Sequence, residues 1–209
     1  MYAPDGRLLG FVGVAADITE RKRDEAELQR THRRLRLALE QERDASRCDF
    51  LTGLTNRRAF YEMGEFESKR ARRYNRPMTL TYIDVDNFKK INDDQGHQVG
   101  DDLLAQVAKI IRDTVRQTDV PARLGGDEFA VLFPETDADG AQIVLGRLQQ
   151  SLASEMHKNG WLVTFSIGCV TSNESHLDFD DLVKEADELM YRSKRAGKNR
   201  STVARASTV

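Results

Sequence analysis

Apolar positions change their period several times along this chain, and each change predicts an element. Residues 20–47 hold neither Gly nor Pro and mix charges of both signs, while Leu28, Leu35 and Glu42 fall seven apart with Thr31, Ala38 and Ala45 between them. That thin heptad seam predicts a long helix of roughly 40 Å, too polar for a core and suited to a coiled-coil-like stalk between two chains. Asp17-Ile18-Thr19-Glu20 supplies a capping-box-like start. Ahead of it, Pro4-Asp5-Gly6 is turn chemistry before the apolar run LLGFVGVAA at 8–16, which predicts a β-hairpin. A secretory leader fits poorly there, because Asp5 spoils a positive flank and Gly10 and Gly13 break the run.

Beyond residue 48 the pattern becomes globular. Residues 56–74 predict a helix that stops before Pro77, and MTLTYIDV at 78–85 is apolar and β-branched enough for a central strand. Helical spacing returns at Leu103, Leu104, Val107, Ile110 and Ile111. Two β-like runs, 120–124 and 128–133, flank Gly125-Gly126-Asp127. They predict a tight hairpin, since both glycines tolerate the positive φ of a two-residue turn. A helix carrying Leu145, Leu148, Leu152 and Met156, a strand over 161–170, a helix over 179–194 and a short strand over 201–203 follow, with fraying expected from Arg205. Strands alternate with helices around a hairpin, so the fold class is α/β with a mixed central β-sheet and surrounding helices. The expected organisation is a terminal hairpin at 1–19, a helical linker at 20–48 and a globular domain at 49–205.

Composition narrows the function classes. Across 209 residues, 32 Lys and Arg against 34 Asp and Glu leave a net charge of −2, which offers no overall basic field for a nucleic-acid backbone. No apolar run reaches the roughly 18 residues of a membrane span, so a soluble, cytoplasmic chain is expected. Cys48 and Cys169 are far apart and form no metal-ligand spacing, which suits reduced thiols.

Candidate chemistry begins at Asp84 and Asp86, whose i, i+2 spacing at the end of an apolar strand places both on one face. The Gly-Gly hairpin delivers Asp127 and Glu128 from another part of the sheet. Acids from two strands beside a turn without side chains suit Mg²⁺, which takes one or two carboxylates and completes its shell with water and phosphate oxygens.

Arg123-Leu124-Gly125-Gly126-Asp127-Glu128-Phe129 resembles the signature of the GGDEF family, the diguanylate cyclases that join two GTP into cyclic di-GMP. Asp49-Phe50-Leu51-Thr52-Gly53-Leu54-Thr55-Asn56-Arg57-Arg58 resembles the family's DxLTGLxNRR opening, and residues 84–93, DVDNFKKIND, its strand-and-loop segment. Residues 96–101, GHQVGD, and 191–200, YRSKRAGKNR, agree in order and spacing, so the resemblance spans 49–203. It implies a nucleotide cyclase or polymerase palm-like fold and two Mg²⁺ ions, with Mn²⁺ as the alternative ion. Asp84, the carbonyl of Val85, Asp127 and Glu128 would hold them, with Asp84, Asp127 and Glu128 forming the catalytic set. The backbone amides of Asn87 and Phe88 would meet the phosphates at a helix start, with Gly125 and Gly126 leaving room for the ligand. Lys194 and Lys198, spaced i, i+4 and so expected on one side of a helix, would take the β- and γ-phosphates. Asn92 and Asp101 correspond to the guanine readers.

The resemblance also implies regulation. Arg116-Gln117-Thr118-Asp119 lies where the family often carries its RxxD inhibitory site for cyclic di-GMP. A homodimer is implied too, since two domains, each holding one GTP, must face each other. The basic run Lys69, Arg70, Arg72, Arg73 and Arg76 reads as a solvated helix face. Residues 10–22, GFVGVAADITERK, look like the last strand of a PAS sensor domain and its exit into a signalling helix. The alternative to an enzyme is an inactive GTP or cyclic di-GMP binding module; such relatives usually lose the acidic pair or the lysines, and both are present here.

Overall fold

Residues 78–86 are buried at all nine positions, and the sheet is built around them. A computed structural model describes residues 47–172 and 178–206 continuously, with residues 4–6, 22, 28–31 and 33–34 described singly. The chain divides into two compact units, 1–45 and 46–209. The hairpin expected over 1–19 and most of the helical linker expected over 20–48 lie outside the continuously described residues. At the linker's end the expectation is corrected, because Cys48 forms an antiparallel bridge with Thr55 instead of continuing a helix. In chain order the second unit contains β1 (Thr55–Asn56), α1 (Arg57–Tyr74), β2 (Met78–Asp86), α2 (Phe88–Gln95), α3 (His97–Thr114), β3 (Val120–Gly125), β4 (Glu128–Pro134), α4 (Ala138–Lys158), β5 (Thr164–Ser172), α5 (Phe179–Arg195) and β6 (Arg200–Arg205).

The strand order is β1-β3-β4-β2-β5-β6. β2 runs antiparallel to both neighbours, whereas β1 with β3 and β5 with β6 are parallel, so the sheet is mixed as expected. Helices cover both faces, which explains why β2 reads as a nearly continuous apolar run. Its even-numbered residues Leu80 and Tyr82 join Phe60, Phe179, Leu182 and Met190 of α1 and α5. Its odd-numbered Ile83 and Val85 join Leu103, Leu104, Val107, Leu148 and Leu152 of α3 and α4. α5 lies close on the sheet because β5 carries Gly168, where a Cβ would overlap the Ala186 carbonyl oxygen and the Met190 amide nitrogen. Among the described residues no helix is long and apolar enough to cross a membrane.

Several expectations need correction. β5 begins at Thr164, three residues later than predicted, because the Trp161 amide donates back to the Met156 carbonyl and Leu162 is 86% exposed. β6 reaches Arg205 rather than stopping at residue 203, since parallel pairing with β5 continues to Thr171 opposite Arg205. The segment after β2 forms two helices, α2 and α3, divided at Gly96. Lys198 is not on a helix: α5 ends at Arg195, and Gly197, Lys198 and Asn199 all take positive φ.

Candidate active site

The turn between β3 and β4 is tight: Gly125 pairs with Glu128, leaving Gly126 and Asp127 at its tip. Gly126 sits at φ 51°, a conformation costly for side chains with a Cβ. Two interactions fix this turn to the rest of the sheet. The Val85 amide donates to the Asp127 carbonyl at 3.2 Å. The Arg123 guanidinium donates to the Gly126 carbonyl through Nε at 3.0 Å and Nη2 at 2.7 Å, while its Nη1 lies 3.1 Å from Asp49 Oδ1.

Asp84 stands directly opposite Glu128 in the β2–β4 ladder and is buried. Its Oδ2 lies 2.6 Å from Lys194 Nζ, delivered from the last turn of α5. Burial pushes the Asp84 carboxyl up to about 6, with the nearby acids Asp127 and Asp86 adding to the rise and Lys194 opposing it. Among the described residues no group of three or more His, Cys, Asp or Glu is already gathered around a metal position. The donor set nonetheless fits Mg²⁺: hard carboxylate oxygens, one of them buried at electrostatic cost, stand beside a turn whose two glycines leave space, and this ion needs only one or two carboxylates. Asp84, the Val85 carbonyl, Asp127 and Glu128 are the groups that would hold it.

Asp86, on the same face, is committed elsewhere. It accepts from Thr164 Oγ1 and Ser166 Oγ, both at 2.7 Å, and from the Asn199 amide at 3.1 Å. Through Asn199 this carboxylate ties the loop after α5 to β2. The same loop brings Lys198 Nζ within 2.7 Å of Asn87 Oδ1, so both predicted lysines reach the strand end despite lying on different local structures. Asn87 itself holds φ 65° and precedes Phe88, the first residue of α2, whose amide end is the expected phosphate seat.

Asn92 lies in the wedge between α2 and α3. Its Oδ1 is buried without a partner, and Gly100 gives it room, since a Cβ there would overlap that oxygen. Asp101 follows on α3 and is exposed. Arg116 and Asp119 sit apart, at the beginning of β3, roughly 20 Å of strand from the hairpin. Asp119 is buried; its Oδ2 accepts from the Arg116 amide at 2.7 Å and its Oδ1 has no partner. The Arg116 side chain is exposed.

A family model described as diguanylate cyclase, GGDEF domain, matches residues 46–200. The chain belongs to the GGDEF family. Relatives include the probable diguanylate cyclase DgcC of Escherichia coli, 39% identical over 158 residues, covering 75% of this chain and 43% of that protein. Diguanylate cyclase DgcP of Pseudomonas aeruginosa is 40% identical over 169 residues, covering 79% of this chain and 25% of that protein. This chain thus spans less than half the length of these relatives. Among solved structures, the coiled coil and GGDEF domain of DgcB from Caulobacter crescentus in complex with c-di-GMP matches with a TM-score of 0.72 and 31% identity, over 88% of this chain and 98% of that one. The active GGEEF domain of a diguanylate cyclase from Vibrio cholerae matches with a TM-score of 0.68 and 28% identity, over 78% of this chain and all of that one.

Within this GGDEF domain the fold gathers Asp84, Asp127, Glu128 and Lys194 at one end of β2, and Asn87 with Lys198 beside them. Sequence reasoning assigned no role to Asp49, Tyr82, Arg123 or Asn199, all of which fasten this end of the sheet. Tyr82 was visible in the alternation of β2, two residues before Asp84 on the same face. The Arg123 contact to Asp49 depends on a partner 74 residues away and left no local signal, although its bonds to the Gly126 carbonyl span only three residues.

Proposed function

We propose that this chain is a diguanylate cyclase that condenses two GTP into cyclic di-GMP with release of two pyrophosphates. Asp84 carries the reading: a buried carboxylate at a strand end, beside the Asp127 turn, balanced by a lysine that a triphosphate would claim. Lys194 and Lys198 hold the β- and γ-phosphates, and the amides of Asn87 and Phe88 meet phosphate oxygens where the α2 dipole favours negative charge. When bound, Mg²⁺ or Mn²⁺ would lower the pKa of the attacking 3′-hydroxyl and stabilise the leaving pyrophosphate.

Asn92 and Asp101 read guanine. The buried Asn92 Oδ1 gains a donor from the base, and a carboxylate accepts from guanine N1–H and N2–H₂, whereas adenine has no donor at either position. A buried polar group such as Asn92 Oδ1, left unpaired by the wrong base, discriminates by about 10⁴.

Each domain holds one GTP, and each 3′-hydroxyl attacks the α-phosphate of the other, so catalysis needs a homodimer. A helical stalk over 20–48 would raise the effective concentration of one domain near its partner. Cyclic di-GMP at Arg116 and Asp119 would hold the domains apart; the exposed guanidinium and the unpartnered Asp119 Oδ1 supply a donor and an acceptor for guanine.

Purified protein incubated with GTP or ATP and Mg²⁺, with products identified by mass, tests the reading. Cyclic di-GMP from GTP alone, abolished by Asp127→Ala, is expected. Tight dinucleotide binding without turnover would establish a binding module instead, and cyclic AMP or a linear polymer a different nucleotidyl transfer. Arg116→Ala should keep turnover and relieve product inhibition; inhibition equal to wild type removes the regulatory site.

A further inference from the structure

We infer that Tyr82 is a positioning residue for Glu128, its hydroxyl fixing one carboxylate oxygen so that the other is left for the cation. The inference rests on the cyclase reading above.

Tyr82 is only 6% exposed and packs among the apolar residues of α1 and α5. Phenylalanine would fill that space equally well, and a buried hydroxyl costs free energy unless it is hydrogen-bonded. The hydroxyl donates to Glu128 Oε2 at 3.1 Å. Asp187 of α5 and Arg57 of α1 are the other charged groups whose fields reach the phenol, yet Glu128 is the acid it bonds.

Glu128 stands opposite Asp84, two residues beyond Tyr82 on the same face of β2. Its side chain would otherwise be free to rotate at the mouth of the turn. With Oε2 tied, Oε1 is the oxygen available to a divalent ion, and less ordering remains to be done when the ion arrives. A partner that orients a ligating carboxylate in this way commonly governs metal affinity.

Mn²⁺ uptake, followed by electron paramagnetic resonance with a nonhydrolysable GTP analogue present, separates positioning from simple core packing. Tyr82→Phe should weaken Mn²⁺ binding about ten-fold, and in a Glu128→Ala background the same change should alter it by roughly two-fold at most. Melting curves of all four proteins verify folding. A Tyr82→Phe protein that melts lower but binds Mn²⁺ like wild type overturns the inference alone, as do equal losses in both backgrounds. Wild-type protein that takes up no Mn²⁺ overturns the inference together with the cyclase reading.

Discussion

Asp49 and Asp84 each face a basic side chain, at 3.1 and 2.6 Å, yet one is held below the ordinary carboxylate pKa and the other pushed above it. Burial raises both. At Asp49 it is outweighed by the Thr52 hydroxyl and amide, at 2.6 and 2.9 Å, together with the Arg123 guanidinium. At Asp84 a single lysine works against deeper burial and two neighbouring acids. The contrast separates two uses of one residue type. A carboxylate surrounded by donors braces the Gly126 turn through Arg123, whereas one short of donors keeps unspent attraction for a stronger cation.

The comparison breaks most visibly at Asp84. Asp84→Asn should reduce turnover by on the order of 10³ and, in metal-free protein, raise stability at neutral pH by about 2–3 kcal/mol. Between about 3.8 and about 6 the native carboxyl keeps a proton that the unfolded chain has released, so metal-free wild type loses stability as pH rises through that window. Melting curves across this range should show that slope in wild type and its loss in the variant.

Asp49→Asn should do the reverse. Its depressed pKa supplies stability that is present above the unfolded value of 3.8 and lost as pH falls through the native one. The variant should therefore melt lower than wild type at neutral pH, by roughly 1–2 kcal/mol, and converge with it in acid. Turnover should fall roughly ten-fold as the turn loosens. The smallest effect is expected at Lys69→Ala, which removes an exposed pair with Glu65 and should shift stability by a few tenths of a kcal/mol. A larger change there would erase the distinction between braced and solvated charges.

The local signals in the sequence were the reliable ones. The apolar, β-branched run over 78–85, the Gly-Gly turn and the apolar spacing of α3 and α4 depend on neighbours in the chain, and they led to the mixed sheet. The i, i+4 spacing of Lys194 and Lys198 presupposed a helix that three left-handed residues end, so the lysines converge by a loop contact to Asn87 instead. Trp161, Leu162 and Val163 read as strand because they are apolar, yet they precede β5. Asp86 looked like the twin of Asp84, but Thr164, Ser166 and the Asn199 backbone, 78 to 113 residues away, claim it. Tertiary partners at such distances leave no periodicity to read.

Gly168 acts as a shim of zero thickness under α5. Met190, whose amide a Cβ at this position would strike, lies one helical turn before Lys194. Any side chain at Gly168 must lift the helix off the strand, and the ammonium would be withdrawn from Asp84 with it. A single hydrogen atom in the floor of the sheet thereby calibrates how far a charge on the roof can reach.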